Sequence, residues 1–289
     1  MGAGTLSAAE NDTSSLKIGL IADPQYCDHP DAGSRFYRKS LDKLQEAVDA
    51  FKQAKVDCVV TVGDLIDRDF VSFQAVNQRY DKLDKIPHFP VLGNHDWSVE
   101  EQDKPKVIEA MGVSSPYYSK VYGSWRLVFL DSTDVATFRP ETKEVALQQL
   151  AALKTSGAHN GYPWNSALGP EQLKWLNAEL ATASQAKQQV ILFNHCPVLP
   201  PKDGHNLWND EALRKIITAH PCVKAYLNGH NHAGNYATEN GCHFLNLKGM
   251  VETSDTNAYA IATCASGKID IKGFGREPSR QLKLRSNHS

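Results

Sequence analysis

Long apolar runs are missing from this chain. No stretch approaches the roughly 20 residues that a membrane-spanning helix needs, so no membrane span is expected. Charge of one sign is missing too. Lys and Arg total 31 against 33 Asp and Glu, for a formal net charge of -2, and no Lys/Arg stripe occurs. That excludes a protein gripping long nucleic acid by phosphate neutralisation, so no nucleic-acid partner is expected. None of the six cysteines forms a C-x-x-C pair, which excludes a cysteine zinc knot. Met1 to Ser15 lacks the apolar centre of a signal peptide, and Leu6 stands where myristoylation needs Ser or Thr. A disordered tail over 1–15 and a reducing, cytoplasmic location are therefore expected, with Cys58 and Cys264 as reduced core residues. No repeat, low-complexity tract or linker interrupts the rest. Residues 16–275 are expected to form one domain, and the basic stretch 276–289 an irregular tail.

What is present is an alternation of short apolar runs and amphipathic stretches. Leu16 to Ala22 and Val56 to Val62 read as buried strands, and His88 to Leu92 as a third. Between the first two, Leu41, Leu44, Val48 and Phe51 repeat at helical spacing, and Val71 to Leu83 reads as a second helix. Alternation of this kind predicts parallel βαβ units and an α/β fold. Tyr117 to Val121 and Trp125 to Leu130 read as a hairpin. Glu141 to Leu153 and a segment opened by Pro170 read as helices. Val190 to Phe193, Val223 to Leu227, Cys242 to Leu247, Tyr259 to Cys264 and Lys268 to Lys272 are further strands, and Asn209 to Ala219 another helix. The long loop within 132–169 has the length of a lid or specificity insertion.

Five strand ends carry groups able to do chemistry: Asp23 and Gln25; Asp64; Asn94 and His95; His195; His230 and His232. Singly each has an ordinary explanation. Asp64 could cap a helix, His195 could be a satisfied core histidine, and Gly93-Asn94-His95-Asp96 could be a polar turn. In open α/β sheets, however, ligands bind beyond the carboxyl ends of the strands, so five loops would offer oxygen and imidazole along one edge. Carboxylate, amide and imidazole without thiolate suit manganese, iron or zinc. Asp64, at the central strand end, is the natural bridge between two cations about 3.5–4 Å apart. Asp96 is expected to hold the His95 imidazole in one tautomer. His230 and His232, two apart on an extended chain, are expected to point their rings the same way.

The blocks Asp23-x-Gln25, Gly63-Asp64-x-x-Asp67, Gly93-Asn94-His95-Asp96, His195 and Gly229-His230-x-His232 resemble, in order, those of the calcineurin-like metallophosphoesterases. The resemblance implies a four-layer αββα sandwich with two central mixed β-sheets. It implies one cation on Asp23, Gln25, Asp64 and His232, and a second on Asp64, Asn94, His195 and His230. It also implies that His95, oriented by Asp96, acts on the leaving group of an in-line phosphoryl hydrolysis.

Gln25 stands where the family usually has histidine. Its amide oxygen is a harder ligand, tilting that position from zinc towards manganese or magnesium. This block is similar to that of the manganese-dependent ADP-ribose/CDP-alcohol diphosphatase subgroup. So are Arg35-Phe36-Tyr37-Arg38, Pro116-Tyr117-Tyr118-Ser119, Leu207-Trp208-Asn209 and Gly273-Phe274-Gly275-Arg276. The segment between Gln25 and Arg35 is shorter than the subgroup's, and no cysteine lies just before Leu207-Trp208. The implied activity is cleavage of the diphosphate bond in a small-molecule nucleotide by a monomer. The alternative is a cyclic-nucleotide phosphodiesterase or phosphomonoesterase on the same site. Arg35 and Arg38 are expected to bind a second phosphate, and Phe36, Tyr37, Tyr118 and Trp208 to stack a base.

Overall fold

The computed structural model describes residues 15–285, so all but the last residue of the expected N-terminal tail lies outside it. The chain runs β1 (Leu16–Ile21), α1 (Ser40–Ala54), β2 (Cys58–Thr61), α2 (Ser72–Tyr80), β3 (His88–Pro90), α3 (Val107–Ala110), β4 (Tyr118–Tyr122) and β5 (Trp125–Phe129). It continues through α4 (Lys143–Thr155), α5 (Pro170–Gln185), β6 (Gln189–Phe193), α6 (Asp210–Ala219) and β7 (Val223–Asn228). The last strands are β8 (Asn235–Glu239), β9 (Cys242–Asn246), β10 (Ala258–Ala265), β11 (Lys268–Gly275) and β12 (Arg280–Lys283).

The strands make two six-stranded sheets, ordered β12-β11-β10-β1-β2-β3 and β4-β5-β6-β7-β9-β8. Each is mixed: β1-β2-β3 and β5-β6-β7-β9 are parallel, and the flanking strands are antiparallel. The parallel strands read as continuous apolar runs because both faces are covered. One face of β1 (Leu16, Ile18, Leu20) meets Leu127, Phe129, Ile191 and Phe193 of the second sheet in a shared core. Ile21 and Val59 point the other way, onto Leu44, Val48 and Phe51 of α1 and Phe73 and Val76 of α2. In the second sheet Val128, Val190 and Leu192 turn outward onto Leu176 and Leu180 of α5 and Leu213 and Ile217 of α6. Each such side chain contributes about 1.5–3 kcal/mol by leaving water. The result is the four-layer αββα sandwich, with the carboxyl ends of β1, β2, β3, β6 and β7 opening on one edge.

Two strands depart from the sequence reading. The stretch 276–289 is not irregular throughout, since β12 pairs with β11 and buries Leu282 beside Ile269. The other residues of β12 are polar, Arg280 half-buried and Gln281 and Lys283 exposed, as suits an edge strand, so only one apolar residue marked it. The edge strand β8, which alternates half-buried and exposed residues, escaped for the same reason. It is joined to β9 through Asn240-Gly241, both at positive φ, a pairing typical of a tight hairpin.

Candidate metal centre

Seven side chains from the five strand ends meet in one buried cluster. Donor atoms of Asp64, His195 and His230 lie within 4.8 Å of one another, and so do those of Asp23, Asp64 and His232. Asp64 is common to both. Its Oδ2 stands 3.3 Å from His195 Nε2 and 2.9 Å from Gln25 Nε2. Asn94 Oδ1 is 3.0 Å from His195 Nε2, and His230 Nδ1 is 3.1 Å from the same atom. His232 Nε2 lies 3.6 Å from Asp23 Oδ1 and 3.1 Å from Gln25 Nε2. The two rings of His230 and His232 do not point the same way. The chain bends after β7, with His230 at φ 71°, and sends one ring to each group.

The backbone is bent to make this possible. Asp23, Gln25, Asp64 and His230 all sit at positive φ, between 45° and 71°, a conformation that non-glycine residues avoid unless the surroundings impose it. Two glycines admit the donors. A Cβ on Gly63 (φ 94°) would lie 2.2 Å from His195 Nδ1, and one on Gly93 2.2 Å from Asp64 Oδ1.

The electrostatics ask for positive charge. Burial opposes ionisation of Asp64, yet His195, His95 and His230 outweigh it and hold the carboxyl well below the usual range. Burial raises Asp23. His195, despite burial, is pushed up to about 9 by Asp64 and Asp23. Burial and His195 hold His230 well below the ordinary imidazole value. Gln25 Oε1 is buried without a partner while Nε2 faces Asp64 and His232, so turning the amide over would offer an orphaned oxygen to a hard cation. The donor set therefore fits two divalent cations of the harder kind.

Asp96 does not orient His95. Its carboxylate accepts the backbone N–H groups of Gly93 at 2.9 Å, Asp64 at 3.1 Å, Leu65 at 2.8 Å and Ile66 at 3.3 Å. It pins two strand-end loops together, and burial with the neighbouring Asp64 pushes it up to about 7. Asp67 is the residue that meets His95: its Oδ1 lies 2.9 Å from His95 Nδ1. His95 Nε2 then faces Arg35, whose Nη1 is 3.4 Å away. The sequence signal for Asp67 was present, four residues along the Gly63 block.

A cavity of about 470 Å³ opens over the cluster, lined by Gln25, Arg35, Asp64, Asn94, His95, His230 and His232 on one side. Ser98, Phe138, Pro163, Trp164 and His205 complete it. Most expected substrate contacts are elsewhere. Arg38 is exposed and paired with Asp28 at 2.6 Å. Phe36 donates its backbone N–H to Val251 O at 2.9 Å and does not line the cavity. Tyr37 is buried against Cys27 and Val251, Tyr118 stacks on Phe129 at 4.6 Å, and Trp208 packs with Ala146, Leu150 and Ala167. All three are held where apolar surface is removed from water, which outweighs any pull towards the rim. The sequence reading missed Trp164, Phe138 and His205. The one available hint was Gly161-Tyr162-Pro163-Trp164, two large aromatics in a polar loop. A larger groove of about 930 Å³ beside α2, lined by Phe70, Phe73 and Lys106 among others, has none of these donors.

A two-sheet α/β sandwich whose parallel strand ends gather carboxylate, amide and imidazole defines a metal-dependent phosphoester hydrolase. The chain belongs to the calcineurin-like phosphoesterase family, whose sequence profile matches residues 16–234. It is similar to proteins named manganese-dependent ADP-ribose/CDP-alcohol diphosphatase from Bos taurus, 26% identical with 96% of each chain covered, and from Oryza sativa, 29% identical with 89% of this chain and 88% of the relative covered. Its fold is that of a dimetal phosphatase from Danio rerio, with a TM-score of 0.85 at 24% identity, covering 93% of this chain and 99% of that one.

Proposed function

We propose that this protein is a manganese-dependent hydrolase of the diphosphate bond in nucleoside diphosphate-linked compounds, ADP-ribose and CDP-alcohols being the class. The observation that carries the reading is one cavity in which two donor groups sharing Asp64 adjoin the Asp67–His95 pair, Arg35 and an aromatic wall. Asp23, Gln25, Asp64 and His232 would hold one cation, and Asp64, Asn94, His195 and His230 the other. The cations supply Lewis acidity at the phosphoryl oxygens and a nucleophile at neutral pH. Asp67 fixes His95 through Nδ1, so Nε2 is the atom that passes a proton to the leaving oxygen. Arg35, beside that atom, binds the phosphate that is not attacked, and its fork of donors suits it to two oxygens at once. Trp164 and Phe138 give a nucleoside an apolar surface. The names of the relatives support the diphosphate substrate, and Gln25 supports manganese. The protein acts as a monomer in a reducing compartment, in keeping with six buried, unpaired cysteines.

A manganese-supplemented panel of ADP-ribose, CDP-choline, cyclic nucleotides and p-nitrophenyl esters tests this. Release of AMP or CMP from the diphosphates is expected. Preferential cleavage of cyclic nucleotides or monoesters would replace the reading with a phosphodiesterase or phosphomonoesterase. No product from any of them would leave a binding scaffold.

A further inference from the structure

The segment between β5 and α5 carries the aromatic wall, and one of its side chains reaches into the donor cluster. Asn165 is fully buried. Its Nδ2 donates to Asn160 O at 2.9 Å and to Gly204 O at 2.7 Å. Both partners are carbonyls, which only accept, so both amide protons are committed and the orientation of the amide follows. Oδ1 therefore faces His230 Nε2, 2.9 Å away. An acceptor opposite Nε2 requires that Nε2 carry the hydrogen, which leaves the lone pair of His230 on Nδ1, facing Asp64 and His195.

The other two histidines are braced differently. His195 Nδ1 lies 2.8 Å from Val62 O at the end of the first sheet's β2, and His232 Nδ1 2.6 Å from Glu252. His230 alone is braced by the inserted segment. That segment is itself tied down beside Asn165: Val135 and Ala167 exchange backbone hydrogen bonds, Thr137 Oγ1 donates to Pro163 O, and Trp208 Nε1 donates to Tyr162 O. Trp164, next to Asn165, lines the cavity.

We infer that Asn165 is a positioning residue that sets the tautomer of His230 and, through the same side chain, latches the Trp164 wall to the cation position built on Asp64, Asn94, His195 and His230. The inference rests on the dinuclear reading above. Cation binding at that position and the placement of the wall are then one equilibrium, because the amide that braces the ligand also staples the loop.

The tautomer is readable without any metal. Long-range ¹⁵N–¹H spectra of the metal-free protein, with His230→Gln to assign the ring, should show hydrogen on His230 Nε2. Hydrogen on Nδ1 would overturn the proposal, and the tautomer itself is read on the wild-type protein, the variant serving only to assign the signal. Manganese titration followed by electron paramagnetic resonance should show two bound ions in the wild type. In Asn165→Ala one of them should weaken by about 10–100-fold, the usual cost of losing an outer partner of a ligating histidine. Amide exchange across residues 158–167 should slow on manganese loading in the wild type and not in Asn165→Ala. Asn165→Asp keeps an acceptor for Nε2–H but loses both donors. It should preserve the tautomer and lose the exchange response. If Asn165→Ala leaves both affinities within twofold and the exchange response intact, the latch is wrong. A wild type that binds a single ion would instead sink the dinuclear reading, with the tautomer still decided by the metal-free spectrum.

Discussion

The floor of the cavity and its wall are made of different material. The floor comes from the carboxyl ends of parallel strands in both sheets. Its donors are almost wholly buried, and backbone hydrogen bonds to Asp96 tie its loops together. The wall comes from loops outside the sheets: Arg35, Phe138, Trp164 and His205, with the Trp164 and Tyr162 rings stacked 4.5 Å apart and both more than two-fifths exposed. A floor on rigid elements can keep cation donors in register, while a wall on loops can differ in shape around them, joined to the floor at Asn165. Reaction type should therefore follow the floor and substrate choice the wall.

Substitutions that hit one and spare the other can break this division. The largest effect belongs to Asp64→Asn, since Asp64 serves both donor groups. Turnover should fall beyond about 10⁴-fold, with fewer than two ions bound by elemental analysis; two retained ions would refute the shared role. Next comes His95→Ala. Turnover should drop ~10²–10⁴-fold with ion content unchanged, and Asp67→Asn should follow in the same direction while Asp96→Asn lowers Tm instead. A turnover loss in Asp96→Asn at unchanged Tm would restore it as the orienting residue.

The wall is tested by Trp164→Ala. Losing a stacked base costs ~1–3 kcal/mol, so KM for a nucleotide should rise between about 5-fold and 150-fold at nearly constant kcat. Tyr118→Ala, by contrast, should cost about 3 kcal/mol of stability and leave KM alone, and Arg38→Ala should move neither. An unchanged KM in Trp164→Ala removes the wall from substrate binding.

The smallest change, read per pH unit, is a pH dependence in the strand beneath the floor. His88 stacks on Tyr80 at 3.6 Å and lies 2.9 Å from Thr61 Oγ1, and burial pushes its imidazole down to about 3. The unfolded chain, near 6.5, binds the proton more readily, so stability rises with pH from about 3 to 6.5 and is lost as pH falls through that window. The slope is at most about 1.4 kcal/mol per pH unit. Urea unfolding of His88→Gln should be flatter across that range than the wild type; parallel curves would refute this.

The floor was legible because its residues are few, polar and fixed at the ends of apolar runs. Gly63-Asp64 and Gly93-Asn94-His95 each announce a strand ending in a donor. The role of Asp96 was not legible. A carboxylate beside a histidine in sequence looks like its partner, and only the fold shows that four backbone N–H groups claim it while Asp67, 28 residues upstream of His95, takes the ring. The wall was not legible for another reason. Tyr37, Tyr118 and Trp208 have the composition of a stacking surface, but an aromatic ring is also what fills a core best. Which rings are buried is settled by contacts between segments far apart in the chain, and no local pattern carries that information.

The left-handed backbone at Asp23, Gln25, Asp64 and His230 sets a direction for laboratory evolution of this scaffold. Glycine is at ease at all four positions, whereas each present residue holds a conformation costing of order 1–3 kcal/mol. A selection for heat resistance alone would reward erasing those side chains one after another, and its winners would be hardier proteins that have forgotten how to cut a phosphate.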